Sequence, residues 1–135
     1  MTMLKLEIVT PEKRVVDAEV DSVTVPTASG EASILPNHAP LISALKPGVL
    51  SYSTKGNSEK LAVSGGFVEV SSDKVAVLAD SAESADEIDP TKARAERDNA
   101  EKNLSAVGAA LAEDAEVARE ALDLATARAA LSSGK

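Results

Sequence analysis

His38 is the only histidine in this sequence, the residue type that most often serves as a general acid or base, so acid–base chemistry would begin with it. Its neighbours Asn37 and Ala39 are not ionisable, and nothing resembles the Gly-x-Ser-x-Gly elbow that exposes a nucleophile. A small hydrolase using His38 is therefore the minor reading, and a hydrogen-bonded surface or interface histidine the major one. Gly65-Gly66 invites comparison with a phosphate loop, but the Lys and Ser/Thr of such a loop are missing, and a tight turn between strands explains the pair better. Glu113, Asp114, Glu116, Glu120 and Asp123 could gather a cation, yet their spacing lacks the every-second-residue order of a calcium loop and reads as a solvated helix face. With no cysteine, disulfides, thiolate catalysis and sulfur-ligated metals drop out together.

The chemistry being sparse, the stretch Gly30 to Gly48 carries more information. Between Glu31 and Lys46 it has no formally charged residue, and it contains Pro36 and Pro40. An ordinary core strand would not accept both prolines, and an ordinary loop would not be so apolar. A proline-stiffened apolar surface suits a partner's surface, because little ordering entropy is lost when it docks. The net charge of -8 argues against nucleic acid, whose phosphates need a basic face. No apolar run approaches the ~20 residues that span a bilayer, and MTMLKLEIV lacks the basic start and apolar centre of a signal peptide.

The elements that must hold this surface divide the chain in two. Up to Ala79 the apolar period is close to two, with Leu4, Leu6 and Ile8 alternating with Lys5, Glu7 and Val9. Strands are predicted over Leu4–Val9, Val15–Val25 with a bulge-like slip at Asp21-Ser22, Glu31–Leu35, Val49–Thr54, Lys60–Ser64, Phe67–Val70 and Val75–Ala79. Pro26 is expected to end the second of them. Many short strands at this spacing predict a β-sandwich or barrel. Beyond Ala79 alanine takes over, with 16 between Ala82 and Lys135. Asp89-Pro90 is a helix start, with Asp86 and Glu87 adding negative charge near the positive end of the dipole. One apolar stripe runs Ala93, Ala100, Leu104, Val107, Leu111; a second runs Val117, Ala121, Leu124, Arg128, Leu131, with the break expected at Gly108. The expected architecture is α+β: a β-sandwich domain over 1-85 and a two-helix antiparallel hairpin over 86-135. An alanine seam buries little area at ~25 cal/mol per Å², so the hairpin should be able to detach.

Three motifs carry a family resemblance across nearly the whole chain. They are Gly30-Glu31-Ala32-Ser33-Ile34-Leu35-Pro36-Asn37-His38-Ala39-Pro40-Leu41, then Leu45-Lys46-Pro47-Gly48, then Ser64-Gly65-Gly66-Phe67-Val68-Glu69-Val70. With the Ile88-Asp89 helix start and the alanine-rich hairpin, the sequence closely resembles the epsilon subunits of bacterial and plastid F-type ATP synthases. The resemblance implies a sandwich of two five-stranded sheets in a non-catalytic rotor subunit, linking the gamma stalk to the membrane c ring. His38, Ala39, Pro40, Leu41 and Ile42 match the family's gamma-facing segment, and Ser29, Gly30 and Glu31 the turn that meets the c ring. It also implies a peripheral position on the cytoplasmic face of a bacterial plasma membrane, or the stromal face of a thylakoid, with no direct membrane insertion.

By the same resemblance the hairpin is regulatory: folded it lies on the sandwich, extended it reaches the alpha/beta catalytic head and blocks ATP hydrolysis. Some members bind ATP on the folded hairpin through an Ile/Leu-Asp-x-x-Arg-Ala motif. The matching residues are Ile88, Asp89, Lys92 and Ala93, with Arg119 at one distal basic position and Thr126 at the other. Lys92 keeps the charge of the family's arginine without its bidentate fork, so ATP is expected as no more than a weak regulatory ligand, and no other cofactor is expected. The acidic run from Glu113 to Asp123 predicts modest inhibition. The reading from a different class is a stand-alone nucleotide-sensing module.

Overall fold

The computed structural model describes residues 3–107 and 112–133. Alternation builds the first ladders. In β1 (Leu4–Val9) the side chains of Leu4, Leu6 and Ile8 are fully buried while Lys5 is exposed. It pairs antiparallel with β2 (Arg14–Val20) and parallel with β8 (Lys74–Ser84). The slip expected at Asp21-Ser22 proves to be a strand boundary: Val20 faces Leu4, whereas Ser22 opens β3 (Ser22–Thr27) opposite Ser53 of β6 (Gly48–Thr54). Pro26 does not end this strand. It faces Glu31 of β4 (Gly30–Ile34), and its carbonyl accepts from Lys46 N at 2.8 Å. Proline lacks only the donor, so the ladder continues through its acceptor.

The largest departure from the sequence reading lies at Gly65-Gly66. Lys60–Ser64 and Phe67–Val70 are not separate strands joined by a turn. They are halves of one 15-residue strand, β7 (Asn57–Ser71), which pairs with the 11-residue β8 in one register from Leu61–Ser84 to Ser71–Lys74. Gly65 and Gly66 have φ of 45° and 106°, and a Cβ on Gly66 would overlap the Leu78 carbonyl oxygen. The two glycines therefore bend a continuous strand against its neighbour's backbone. Val75–Ala79 is likewise only the first part of β8. The stretch Leu41–Ala44, given no strand above, forms β5 on the edge of β7.

The bend reconciles two layers with one hydrogen-bonded sheet. The halves of β7 and β8 beyond the bend join β2, β1 and β5 in layer one; the other halves join β6, β3 and β4 in layer two. Each layer thus has five strands, the two long ones being shared. Between them lies a core of medium-sized aliphatics, among them Leu6, Ile8, Val23, Val25, Ile34, Leu50, Val68 and Val77, all fully buried.

The helices follow a 3-10 turn over Ala85–Glu87: α1 (Pro90–Val107) and α2 (Ala112–Ser133). Asp89 Oδ1 accepts from the backbone N–H of Thr91 (2.9 Å) and Lys92 (3.2 Å), the cap expected of Asp89-Pro90. The stripe proposed for α2 needs correction. Leu131 is buried and Leu124 half-buried as expected, but Val117 is 68% exposed and Ala121 exposed, and Ala118, Ala125, Ala127 and Ala129 are buried instead. With alanine at so many positions several stripes fit the period, and the sandwich selects the one that meets it. In α1, Ala93 is buried and Ala100 and Leu104 half-buried as expected. Gly108, Leu111 and the side chains of Val107 and Glu113 lie outside the described residues. No helix among the described residues is long and apolar enough to cross a membrane.

Candidate docking surfaces

Each layer has an outer face, and the two faces differ. On layer two, Val49, Ala62 and Glu83 form one outward row across β6, β7 and β8, and the end of α2 covers it. There Ala127, Ala129 and Leu131 pack with Ala62, Ile88 and Ala93. On layer one, the outward row Val9, Leu78, Phe67, Ala44 crosses four strands, and the next row is Glu7, Ala76, Glu69, Ile42. α2 flanks only the Ala44–Phe67 end of these rows, where Glu116 and Glu120 line a groove with them, and Ile42, Phe67 and Leu78 stand at 72%, 58% and 56% exposure. Three large apolar side chains on one open sheet face form an exposed apolar patch, the kind of surface that a partner covers.

The sequence-predicted segment meets this patch at one point. His38, Ala39 and Pro40 are exposed in the loop before β5. Along β5, Ile42 turns outward onto the patch, whereas Leu41 is half-buried against the core. His38 Nδ1 donates to the Ala39 carbonyl at 2.6 Å, and the backbone N–H of His38 donates to the Leu35 carbonyl at 3.1 Å. The ring is thus engaged in its own turn and positions no hydroxyl nucleophile among the described residues. Asn37, at φ 70°, donates its N–H to Asp73 Oδ1 at 2.7 Å, tying this loop to the β7–β8 turn. Sequence reasoning missed Phe67 and Leu78 as surface residues. The alternation Phe67-Val68-Glu69-Val70 held the signal, since Val68 and Val70 facing the core turns Phe67 and Glu69 outward.

Ser29, Gly30 and Glu31 are exposed at the β3–β4 turn. Thr27 shapes it: the hydroxyl donates to the Gly30 carbonyl (2.6 Å) and accepts from Ser29 N–H (3.2 Å). The turn is fastened to β5 by Ala28 N–H to the Ala44 carbonyl at 3.1 Å and by the Thr27–Leu45 bridge. A load on Glu31 thus passes through backbone hydrogen bonds to the strand that carries Ile42.

The possible nucleotide residues are divided. Ile88 and Ala93 are buried beneath α2, Asp89 caps α1, and Lys92 is exposed in its first turn. Arg119 instead lines a groove with Lys46, Glu116, Glu120 and Asp123, apart from the Asp89 turn. Among the described residues no group of three or more His, Cys, Asp or Glu side chains could hold a metal ion.

Arg128, assigned above to an apolar stripe, has another role. Its guanidinium bonds both oxygens of Glu83 on β8, at 2.9 and 3.3 Å, and also pairs with Glu96 of α1. One cation thereby joins the sandwich and both helices. At the 3-10 turn that precedes α1, Ser84 N–H and hydroxyl bond Glu87 Oε1 at 3.1 and 3.0 Å. The backbone bond, then the hydroxyl, holds the Glu87 carboxyl below its usual value.

The beta-sandwich domain family of ATP synthase delta/epsilon chains matches residues 3–85. The ATP synthase epsilon chain of Desulforamulus reducens is 51% identical over 104 residues, 77% of this chain and 79% of the relative. That of Nitratidesulfovibrio vulgaris is 45% identical over 128 residues, 95% of this chain and 87% of the relative. Among solved structures, a chain of the Euglena gracilis mitochondrial ATP synthase (OSCP/F1/c-ring) superposes with TM-score 0.80 at 21% identity, covering 96% of this chain and 81% of that one. A chain of the Tetrahymena thermophila central stalk/c-ring assembly gives 0.58 at 16%, covering 98% and 96%. At such identities the structural likeness concerns the fold, and the matches in sequence carry the relationship: this chain belongs to the family of ATP synthase epsilon chains.

Proposed function

We propose that this chain is the non-catalytic subunit that clamps the gamma stalk to the c ring of a rotary ATP synthase, on the cytoplasmic face of a bacterial membrane. The observation that carries it is the open outer face of layer one, where Ile42, Phe67 and Leu78 stand exposed while the opposite face is covered by the chain's own helix. Gamma is its occupant. Glu69 on the neighbouring row offers an acceptor to basic or amide groups at the rim, Glu7 being paired with Lys74 at 3.5 Å, and His38, Ala39 and Pro40 extend the contact beyond Ile42. The Ser29-Gly30-Glu31 turn is the c-ring contact, where a carboxylate suits the polar loops of the ring. The backbone ties from Ala28 to Ala44 join the two contacts, so the subunit transmits torque by rigidity.

Residues 1-85 form the docking domain in this reading and 86-135 a regulatory hairpin. Its α2 carries exposed Asp114, Glu116 and Glu120, which disfavour approach to acidic regions of a catalytic head once the hairpin leaves the sandwich. Crosslinking in the assembled rotary enzyme tests the assignment. A photoreactive group at Ile42 is expected to label gamma and one at Glu31 a c subunit; labelling by bulk reagent alone at Ile42 would refute it.

A further inference from the structure

We infer that Arg128 is an ionic latch that holds the hairpin on the sandwich, and that its neutralisation converts the same junction into a repulsive one. Glu83 projects from the last strand and Glu96 from α1, and both reach the single guanidinium of α2. At side-chain exposures of 21%, 28% and 49% for Arg128, Glu83 and Glu96, the cluster sits at the rim of the docked face, reachable by salt. What lies beside it is mostly alanine, with Leu131 and Ile88 as the larger apolar groups, so fit is good but apolar grip is shallow. A bidentate Arg–carboxylate pair adds a directional bond to that shallow seam and fixes its register.

Without the cation, two carboxylates from separate bodies converge with no counter-charge between them. Docking would then be opposed and not merely weakened. A hairpin held this way opens when something competes for Arg128 or screens it, which gives a regulatory hairpin a defined trigger point. That use rests on the rotor reading above, whereas the latch itself can be measured on the chain alone.

The sequence has no cysteine, so spin labels can be placed uniquely at Lys60→Cys and Ala130→Cys, two residues that line one groove between the sandwich and α2. The full chain should give a short distance at low salt. Raising salt from about 0.05 to about 0.5 M should increase the separated population several-fold. Arg128→Gln should raise that population about tenfold, Arg128→Lys by less. In Arg128→Gln the salt response should reverse, because screening now relieves the Glu83–Glu96 repulsion, and adding Glu83→Gln should restore docking about threefold.

Salt responses of the same sign in both proteins, or no rescue by Glu83→Gln, would overturn the latch. Should Arg128→Gln lose its helices, the wild-type titration decides, and an unchanged short distance at high salt is the refuting result. A chain that shows the reversal yet fails to bind gamma would refute the rotor reading and leave the latch standing.

Discussion

Ile42 and Phe67 lie on adjacent antiparallel strands, diagonal to one another on the same outward face, and both are more than half exposed. Their exposure separates docking from stability. Neither side chain fills the core, so Ile42→Asp and Phe67→Glu should each alter unfolding free energy by no more than about 0.5 kcal/mol. Either should weaken binding to gamma by about 2 kcal/mol, roughly thirtyfold, if the residue anchors the interface. Calorimetric titration beside a denaturant melt makes the comparison. Leu41→Asp would be a poor probe, because Leu41 packs against the core and its replacement confuses the two effects.

Gly66 and Gly56 form a second contrast. Both have positive φ, 106° and 85°, but a Cβ on Gly56 meets nothing within 4 Å whereas one on Gly66 meets the Leu78 backbone. Gly56→Ala should cost about 1 kcal/mol, the strain of a left-handed residue in a turn. Gly66→Ala adds a clash that only moving β8 can relieve, and should cost about 3 kcal/mol or more. Thermal melts of the two variants rank them.

The same bend explains what the sequence could and could not disclose. Val68 and Val70 alternate with Phe67 and Glu69 in plain view, so strand positions and the inward set were legible. A Gly-Gly pair is compatible with both a turn and a bent strand, however, and only the pairing with β8 decides. The alanines of α2 left its buried face open, since a methyl at nearly every turn satisfies several stripes. Arg128 was unreadable for a different reason: its carboxylate partner on β8 is 45 residues away, and no local spacing encodes that meeting. Of the apolar Gly30–Gly48 stretch, Ile34 and Leu45 enter the core and Ile42 faces outward, while the other two patch residues, Phe67 and Leu78, come from other strands.

Asp89 anchors the first turn of α1 through two backbone N–H groups. Asp89→Ala should cost α1 about 1 kcal/mol, while Asp89→Asn, which keeps the acceptor, should cost much less. Amide exchange at Thr91 and Lys92 reports it directly. ATP, titrated into the same proteins, should bind weakly, because Asp89 is engaged as a cap and Arg119 faces a groove with Lys46.

Glu87 gives the 3-10 turn before α1 a pH dependence of definite sign. Its carboxyl is held low by bonds from Ser84 N–H and hydroxyl, with Lys13 contributing, so it ionises more readily folded than unfolded. The stabilisation is therefore complete above the unfolded value of about 4.3 and is lost as pH falls through the lower folded value. The protection of the Ser84 amide, its exchange rate relative to an unstructured amide at the same pH, should fall as pH drops through the lowered folded value, and Glu87→Ala should abolish that dependence. Protection that does not change on acidification would mean that the Ser84–Glu87 bonds do not hold this turn closed.

Inhibition by the hairpin should be modest. Between Asp114 and Asp123 the exposed or half-exposed face of α2 presents Asp114, Glu116, Glu120 and Asp123 against Arg119 alone, and Arg128 is occupied by Glu83 and Glu96 while the hairpin is docked. An extended α2 would carry that acidic face toward the catalytic head and leave Glu83 and Glu96 unpaired behind it. Both terms favour the docked state, one through repulsion at the destination and one through loss of the latch at the origin. Deleting the residues after Glu87 in the assembled enzyme should therefore raise ATP hydrolysis by less than about threefold, a population shift of under ~0.7 kcal/mol. A rise of tenfold or more would mean that the extended hairpin binds the catalytic head strongly enough to outweigh the ionic cost of reaching it.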